Sequence, residues 1–151
     1  MTPVMSPDLL NACAGLLRRH EGLRLKPYTD TTGHLTIGYG RNLEARGISR
    51  DEAEYLLQAD LERTYTALQT RVPWIIDLSE VRQAVLIDMA FNLGLAGLLQ
   101  FTKTLRMIQT GAYDDAAVAM LNSRWATQVK GRATRLAQMM STNTWPDDSR
   151  L

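Results

Sequence analysis

The sequence has very little cysteine, very little histidine and almost no net charge. Of its 151 residues one is cysteine and two are histidine, and the formal net charge is +1. The single cysteine, Cys13, excludes an internal disulfide. The two histidines, His20 and His34, are 14 positions apart and have no ligand spacing typical of zinc or iron. We therefore expect no metal and no other cofactor, and we interpret Cys13 as a small buried apolar residue on a helix.

The sequence also lacks a long uninterrupted apolar run and an export signal. The nearest candidate, residues 9–17, follows Asp8 and precedes Arg18 and Arg19, which is the wrong polarity for secretion. We expect an amphipathic helix there, no stable insertion into a membrane and synthesis in a cytoplasm. Residues 103–135 carry six basic and two acidic side chains. Such a mild bias suits an anionic partner but does not indicate a nucleic-acid binder.

Length and patterning predict one α+β domain that is mostly α. A chain of this mass buries roughly 70% of its extended surface and needs no disulfide or metal to fold. A first helix is expected from Ser6-Pro7 to Gly22, followed by a β-hairpin or three-stranded sheet within residues 23–43. The later helices are expected to start at Ser49, where Glu52 completes a capping box, and at Ser79, and then to occupy 95–100, 102–110, 113–122, 124–128 and 131–141. The result is a small α+β lobe, a long connecting helix and a larger all-α lobe.

Carboxylates are the candidate chemical groups in this chain. Glu21 ends the first helix, Asp30 lies in the turn before the hairpin, and Thr36 lies on the hairpin. Glycoside hydrolysis needs one protonated carboxyl and one ionised carboxylate on opposite faces of the sugar. The negative end of a helix dipole and partial burial beside leucines suit Glu21 to the acid role, whereas Asp30 in a polar turn stays ionised. By spacing alone the catalytic signal is weak, and a helix-end ion-pair partner and a turn-forming aspartate are the commoner explanations of the two residues.

The full string around these residues is more specific. Residues 21–40 have the pattern Glu-Gly-x5-Tyr-x-Asp-x2-Gly-x2-Thr-x-Gly-x-Gly, which resembles the catalytic signature of phage-type lysozymes, the endolysins or muramidases of glycoside hydrolase family 24. The resemblance extends over roughly residues 9–145 and includes Val81-Arg82, Ala90-Phe91-Asn92-Leu93-Gly94, Phe101-Thr102, Thr104-Leu105-Arg106, Ser123-Arg124-Trp125, Gly131-Arg132-Ala133, Arg135 and Thr144-Trp145.

The resemblance implies roles for individual residues. Glu21 would be the general acid, and Asp30, helped by Thr36, would activate the attacking water with inversion at the anomeric carbon. Substrate-binding roles are implied for Asn42, Phe91, Asn92, Thr104 and Arg132, and Arg132 would approach the catalytic glutamate. Gly40 would keep the hairpin close to the glycan.

The chain departs from the best-known members of the family at three positions. Arg41 stands where they carry a histidine that often makes an ion pair, and Asn42 replaces an apolar groove residue. Ala119 stands where some members place an asparagine near the substrate. These departures concern substrate contacts and lobe pairing, and they leave the expected acid and base in place.

The resemblance also implies an activity and a fold. The expected protein is a monomeric lysozyme that cleaves the β-1,4 bond between N-acetylmuramic acid and N-acetylglucosamine in peptidoglycan. It would be stored in the host cytoplasm without a signal peptide and would act in the periplasm after release. The expected fold is a lysozyme-like catalytic domain over residues 1–151, with lobes of roughly 15–65 and 1–14 plus 66–151. A lytic transglycosylase on a similar fold and a non-catalytic wall-binding domain are the alternatives.

Overall fold

The computed structural model describes residues 2–147. The chain divides into two compact units with the boundary between Tyr55 and Leu56. The first unit contains helix α1 (Pro7–Glu21), strands β1 (Arg24–Thr29), β2 (Leu35–Gly38) and β3 (Arg41–Asn42), helix α2 (Leu43–Arg46) and the start of helix α3 (Arg50–Arg71). The second unit contains the rest of α3, a 3₁₀ helix (Pro73–Asp77), and helices α4 (Glu80–Leu99), α5 (Thr102–Gln109), α6 (Tyr113–Leu121), α7 (Arg124–Val129) and α8 (Gly131–Thr142). The predicted α+β, mostly α class is confirmed.

Helix α1 begins and ends as the sequence predicts. The Ser6 hydroxyl accepts a hydrogen bond from the Leu9 N–H at 3.2 Å, and Pro7 occupies the first turn. At the other end Gly22 adopts φ +70° and donates its N–H to the Arg18 carbonyl. Cys13 is half-buried, so the expectation of a fully buried cysteine was wrong. These two caps place Glu21 at the last helical position.

The β structure is a three-stranded antiparallel sheet in the order β1-β2-β3, which confirms the expected sheet. Thr36, in the central strand, faces Tyr28 of β1 on one side and Asn42 of β3 on the other. The loop after α2 leads into α3 through the predicted capping box, in which the Ser49 N–H donates to Glu52 and the Glu52 N–H donates to the Ser49 hydroxyl.

Helix α4 is the central element of the second unit. Its N-terminus is capped by the Ser79 hydroxyl, and Gly94, at φ +78°, interrupts the helical geometry where the sequence predicts a break. By length and mean hydropathy alone α4 could cross a membrane. Its buried side chains are Val81, Val85, Leu86, Met89, Ala90 and Leu98, and they belong to the hydrophobic core of this unit. This packing is typical of the core helix of a globular protein.

The expected lobe boundaries differ from the observed units. Residues 1–14 were expected with the larger lobe, whereas α1 is one continuous helix that belongs as a whole to the first unit. The assignment of residues 1–151 to one catalytic domain with those lobes stays a prediction, and residues 148–151 lie outside the described part of the chain.

Candidate active site

Glu21 lies against the backbone of the turn between β2 and β3. A Cβ atom added at Gly40 would lie 2.5 Å from Glu21 Oε2 and 3.0 Å from its Cδ, and Gly40 itself has φ +75°. Glycine adopts this backbone angle without strain, and a larger residue here would also displace the Glu21 carboxyl. The expected closeness of Gly40 to the glycan stays a prediction, and the observed neighbour of Gly40 is the Glu21 carboxyl. The Glu21 residue is exposed, so the expectation of partial burial was wrong.

Asp30 lies at the start of the turn between β1 and β2, and one of its oxygens is held by three donors. The Oδ1 atom accepts hydrogen bonds from the Thr32 N–H at 2.9 Å, the Thr32 hydroxyl at 2.8 Å and the His34 N–H at 2.8 Å. The His34 N–H bond, followed by the Thr32 hydroxyl bond, holds the pKa of Asp30 below its ordinary value. Asp30 is therefore ionised at neutral pH, as the sequence predicts.

The second oxygen of the Asp30 carboxylate has a different environment. Within residues 2–147 every hydrogen bond to this carboxylate goes to Oδ1. The Asp30 N–H and carbonyl bond to His34 and Gly33 and close the turn. The side chain retains about a third of its exposure. The carboxylate thus has one oxygen fixed by three donors, and no hydrogen bond within the described residues goes to the other oxygen.

Thr36 is buried, with 2% of its surface exposed. Its hydroxyl donates to the His34 carbonyl at 2.9 Å, and the N–H of that same histidine bonds to Asp30. Thr36 is therefore linked to Asp30 through the His34 backbone.

Asn42 and Arg41 have local structural partners. The Asn42 side chain caps α2 by accepting the Ala45 N–H at 3.0 Å. Arg41 forms an ion pair with Glu52 at 2.6 Å and donates to the Gly47 carbonyl. The Ser49 N–H, the largest contributor, and the Arg41 guanidinium lower the pKa of Glu52. Arg41 thus makes an ion pair at the position where relatives of this kind were expected to carry histidine.

Two of the predicted substrate-binding residues share a pocket in the second unit. The pocket has a volume of about 300 Å³ and is lined by Leu57, Leu61, Ala84, Ile87, Asp88, Phe91 and Arg132. Arg132 Nε donates to Asp88 Oδ1 at 2.7 Å. Phe91 is 44% exposed. The pocket therefore combines apolar walls with one ion pair.

Asn92 and Thr104 are held by other contacts. The Asn92 side-chain oxygen accepts the Trp125 indole N–H at 2.9 Å. Trp125 is buried and packs edge-on against Phe101. Thr104 is buried in α5. Substrate-binding roles for Asn92 and Thr104 stay predictions.

The sequence reasoning missed Thr32 and His34 as neighbours of Asp30. From the sequence, His34 was weighed as a metal ligand and Thr32 was assigned no role beside Asp30. The available signal was the turn itself, because an aspartate side chain in a turn commonly accepts the backbone N–H two residues further on. Asp88, the partner of Arg132, was also missed. Among residues 2–147 no group of three His, Cys, Asp or Glu side chains is placed to hold a metal ion.

Comparisons with known proteins agree with the resemblance of the signature. A sequence model of the phage lysozyme family matches residues 18–139. The chain is 32% identical to the pre-baseplate central spike protein Gp5 of Enterobacteria phage T4, over 85% of this chain and 27% of that protein, so it spans about a quarter of that relative. It is 24% identical to a probable T4-type lysozyme 2 of Dictyostelium discoideum, over 90% of this chain and 97% of that one.

A phage endolysin is similar to this chain over most of both lengths. The endolysin of Acyrthosiphon pisum secondary endosymbiont phage 1 is 30% identical, over 80% of this chain and 82% of the relative. The match of the family model covers the signature, the sheet and nearly all the helices of the second unit. The chain therefore belongs to the phage lysozyme family, whose members are peptidoglycan-cleaving glycoside hydrolases.

Proposed function

We propose that this chain cleaves the β-1,4 bond between N-acetylmuramic acid and N-acetylglucosamine, with Glu21 as the general acid and Asp30 as the general base. The observation that carries the assignment is the state of Asp30. Its pKa is lowered, Oδ1 is fixed by three donors, and Oδ2 accepts no hydrogen bond from the described residues. An ionised carboxylate with one fixed and one free oxygen is suited to accept a proton from water.

The positions of the two carboxyl groups along β2 support inversion. Glu21 lies against Gly40, just after β2, and Asp30 lies in the turn just before it. Strand residues rise about 3.3 Å each, so the first and last residues of β2 are about 10 Å apart. Carboxyl groups placed at opposite ends of a strand of this length are compatible with a water molecule between them. Inverting glycosidases keep their carboxyl groups about 6.5–9.5 Å apart for this reason.

The proposed reaction is a single displacement. The Glu21 carboxyl donates its proton to the glycosidic oxygen as the bond from that oxygen to the anomeric carbon breaks. A water oxygen attacks the opposite face of the carbon and gives its proton to Asp30 Oδ2. The products are a free hydroxyl on the departing sugar and an inverted reducing end, and solvent restores the two protonation states. Thr36 supports this step by holding the His34 backbone that bonds to Asp30.

Substrate binding is proposed for the remaining predicted residues. Phe91 supplies an apolar wall, and Arg132, fixed by Asp88, supplies a cation suited to carboxylates of the peptidoglycan. Asn92 and Thr104 are included because they match family positions near the saccharide groove. Asn42 is included because it occupies a groove position, although the family carries an apolar residue there. Their observed partners are Ala45 for Asn42 and Trp125 for Asn92.

The catalytic assignment is tested with Glu21→Gln and Asp30→Asn on chloroform-treated Gram-negative cells. Each removes a proton donor or acceptor while keeping the shape, and general acid or base catalysis contributes about 10²–10⁴-fold. We expect lysis to slow by at least about 100-fold in each variant, with unchanged circular dichroism. Lysis at the wild-type rate by either variant refutes its role.

Product analysis separates hydrolysis from the transglycosylase alternative. Hydrolysis leaves reducing ends, which mass spectrometry distinguishes from 1,6-anhydro ends by one water. Proton NMR taken immediately after cleavage identifies the first-formed anomer, and the inverted anomer is expected. Anhydro ends exclude the hydrolase, and the retained anomer excludes Asp30 as a base acting on water.

The biological setting is a further part of the proposal. We infer a monomer that is held in the host cytoplasm, released into the periplasm, and has no nucleic-acid partner and no stable membrane insertion. The similarity to a phage endolysin over most of both chains supports this setting. Fractionation of expressing cells before and after membrane permeabilisation, with size-exclusion chromatography of the purified protein, tests these points.

A further inference from the structure

A chain of hydrogen bonds in the β1–β2 turn connects Asp30 to an imidazole ring. The Thr32 hydroxyl donates to Asp30 Oδ1 at 2.8 Å and lies 2.7 Å from His34 Nδ1. A hydroxyl has one hydrogen to donate and two lone pairs. Because that hydrogen is directed to Asp30, His34 Nδ1 must be the donor in the second bond. Donation therefore runs from His34 to Thr32 and from Thr32 to Asp30.

The backbone of the same residues holds the same oxygen. The N–H groups of Thr32 and His34 both donate to Asp30 Oδ1, and the His34 carbonyl is held by the buried Thr36 hydroxyl. Gly33, at φ +85°, gives the turn the backbone angle that it needs. Thr32 and His34 thus each donate a backbone N–H to the Asp30 carboxylate. Their side chains form a second set of hydrogen bonds to the same carboxylate, from His34 to Thr32 and from Thr32 to Asp30.

We propose that Thr32 and His34 are positioning residues for the general base, with the His34 imidazole orienting the Thr32 hydroxyl that fixes Asp30 Oδ1. The proposal rests on the function proposed above, in which Asp30 accepts a proton from water. Fixing Oδ1 directs Oδ2 toward the water and stabilises the ionised carboxylate. Hydrogen bonds to a charged group are stronger than those between neutral groups, so the loss of the Thr32 hydroxyl affects both orientation and ionisation.

Charged groups on the neighbouring elements define the controls. The His34 Nδ1 atom lies 3.8 Å from Asp30 Oδ1. From α2, Glu44 Oε1 accepts the Leu35 N–H at 3.0 Å. On β1, the Arg24 guanidinium stacks over the Tyr28 ring at 4.5 Å from its centroid. A Glu44→Gln variant keeps the Leu35 bond and removes the charge, and so separates a general field effect from the hydrogen-bond chain.

The kinetic test compares Thr32→Val with Thr32→Ser and with Thr31→Val at the neighbouring exposed threonine. We expect Thr32→Val to lower kcat about ten-fold with little change in KM, since one bond to a charged group is lost. The acidic limb of the kcat profile should move to higher pH, because a carboxylate that loses a donor has a higher pKa. Thr32→Ser and Thr31→Val should behave like the wild type. A change in KM alone, or an unchanged pH profile, overturns the proposal.

The role of the imidazole is tested by a double-mutant cycle. His34→Phe keeps the backbone N–H and a planar aromatic ring but removes Nδ1. We expect it to lower kcat by a few-fold in the wild-type background and to have no further effect in the Thr32→Val background, because residues that act through one another are not additive. Additive effects of the two substitutions contradict an action of His34 through Thr32.

An NMR measurement separates the failure of this proposal from the failure of the catalytic assignment. Nitrogen-15 spectra of the histidine rings report which His34 nitrogen carries the hydrogen, since the partner of one nitrogen sets the tautomer. We expect an Nδ1–H donor in the wild type and in Asp30→Asn, and its loss in Thr32→Val. If Asp30→Asn remains active while this pattern holds, the hydrogen-bond chain exists but Asp30 is not the base. If the pattern is absent, the positioning proposal is wrong regardless of activity.

Discussion

In the first unit of the described chain the one buried side chain is a threonine, Thr36, whereas the second unit contains every buried hydrophobic side chain. The first unit holds Glu21 and Asp30 through glycine geometry and hydrogen bonds from turns. The second unit packs apolar side chains around α4. Directional polar contacts specify positions with little burial, and apolar packing supplies stability. Substitutions in the first unit should therefore impair activity more than stability, and those in the second unit should do the reverse.

The largest expected effect is on stability, in the second unit. Leu86→Ala removes a fully buried side chain of α4 and should lower the free energy of unfolding by about 3 kcal/mol. Urea denaturation followed by circular dichroism measures this loss. Val118→Ala, at a position 58% exposed, is the control and should change stability little. The kcat of the folded Leu86→Ala protein should remain near the wild-type value, and a large loss of kcat would remove the contrast between the units.

The next effect is on activity, in the first unit. Gly40→Ala places a methyl group within 2.5 Å of Glu21 Oε2 and should lower kcat by about 100-fold, because small displacements of a reacting group have effects of this size. Gly38→Ala is the matched control, since Gly38 has φ +70° and no neighbour within 4 Å of an added Cβ. Both variants carry the same backbone strain, so equal losses of kcat would show that strain and not the Glu21 contact is responsible.

A smaller effect is expected from the ion pair in the pocket of the second unit. Asp88 and Arg132 are both partly exposed, so Asp88→Ala should change the free energy of unfolding by less than about 1 kcal/mol. It should raise KM a few-fold and leave kcat unchanged, because Arg132 loses the partner that fixes its orientation. Steady-state kinetics on soluble glycan fragments measures this, and Asp88→Asn, which keeps an acceptor, should lie closer to the wild type.

The smallest effect concerns acid. Asp30 and Glu52 have lowered pKa values because donors stabilise their ionised forms. Their contribution to stability is therefore complete above their ordinary pKa values and is lost as pH falls through the lowered ones. Hydrogen exchange measured across this range should show amides of the first unit losing protection before those of α4. Glu52→Gln removes one of the two contributions and should bring the pH values at which the two groups of amides lose protection closer together. Loss of protection at the same pH in both units of the wild type would contradict the prediction.

Much of the secondary structure could be predicted from the sequence because its signals are local. Ser6, Ser49 and Ser79 cap helices as expected, and Gly22 and Gly94 end or interrupt them. Each of these signals acts within one helical turn, so it needs no knowledge of distant residues. The division of the chain was less predictable. Residues 7–14 lie in one helix with Glu21, and no local pattern indicates to which unit that helix belongs.

The candidate site also contains some features that the sequence predicts and others that it does not. Glu21, Asp30 and Thr36 follow from the signature, and the low pKa of Asp30 follows from its place in a polar turn. The contact between Gly40 and Glu21 joins residues 19 positions apart, and the pair between Asp88 and Arg132 joins residues 44 apart. Separations of this length do not correspond to the repeat of a helix or a strand, so the sequence did not indicate these partners.

The sequence by itself determined the family, the type of chemistry and the ends of most helices, because the signature and the capping residues are short and local. The tertiary structure decided which oxygen of Asp30 is held, what fills the space beside Gly40 and which carboxylate pairs with Arg132. Those outcomes depend on differences of a few tenths of an ångström in the distances between side chains and turns. Such distances are set only when the whole chain has folded, because packing and hydrogen-bond geometry are properties of three-dimensional neighbours.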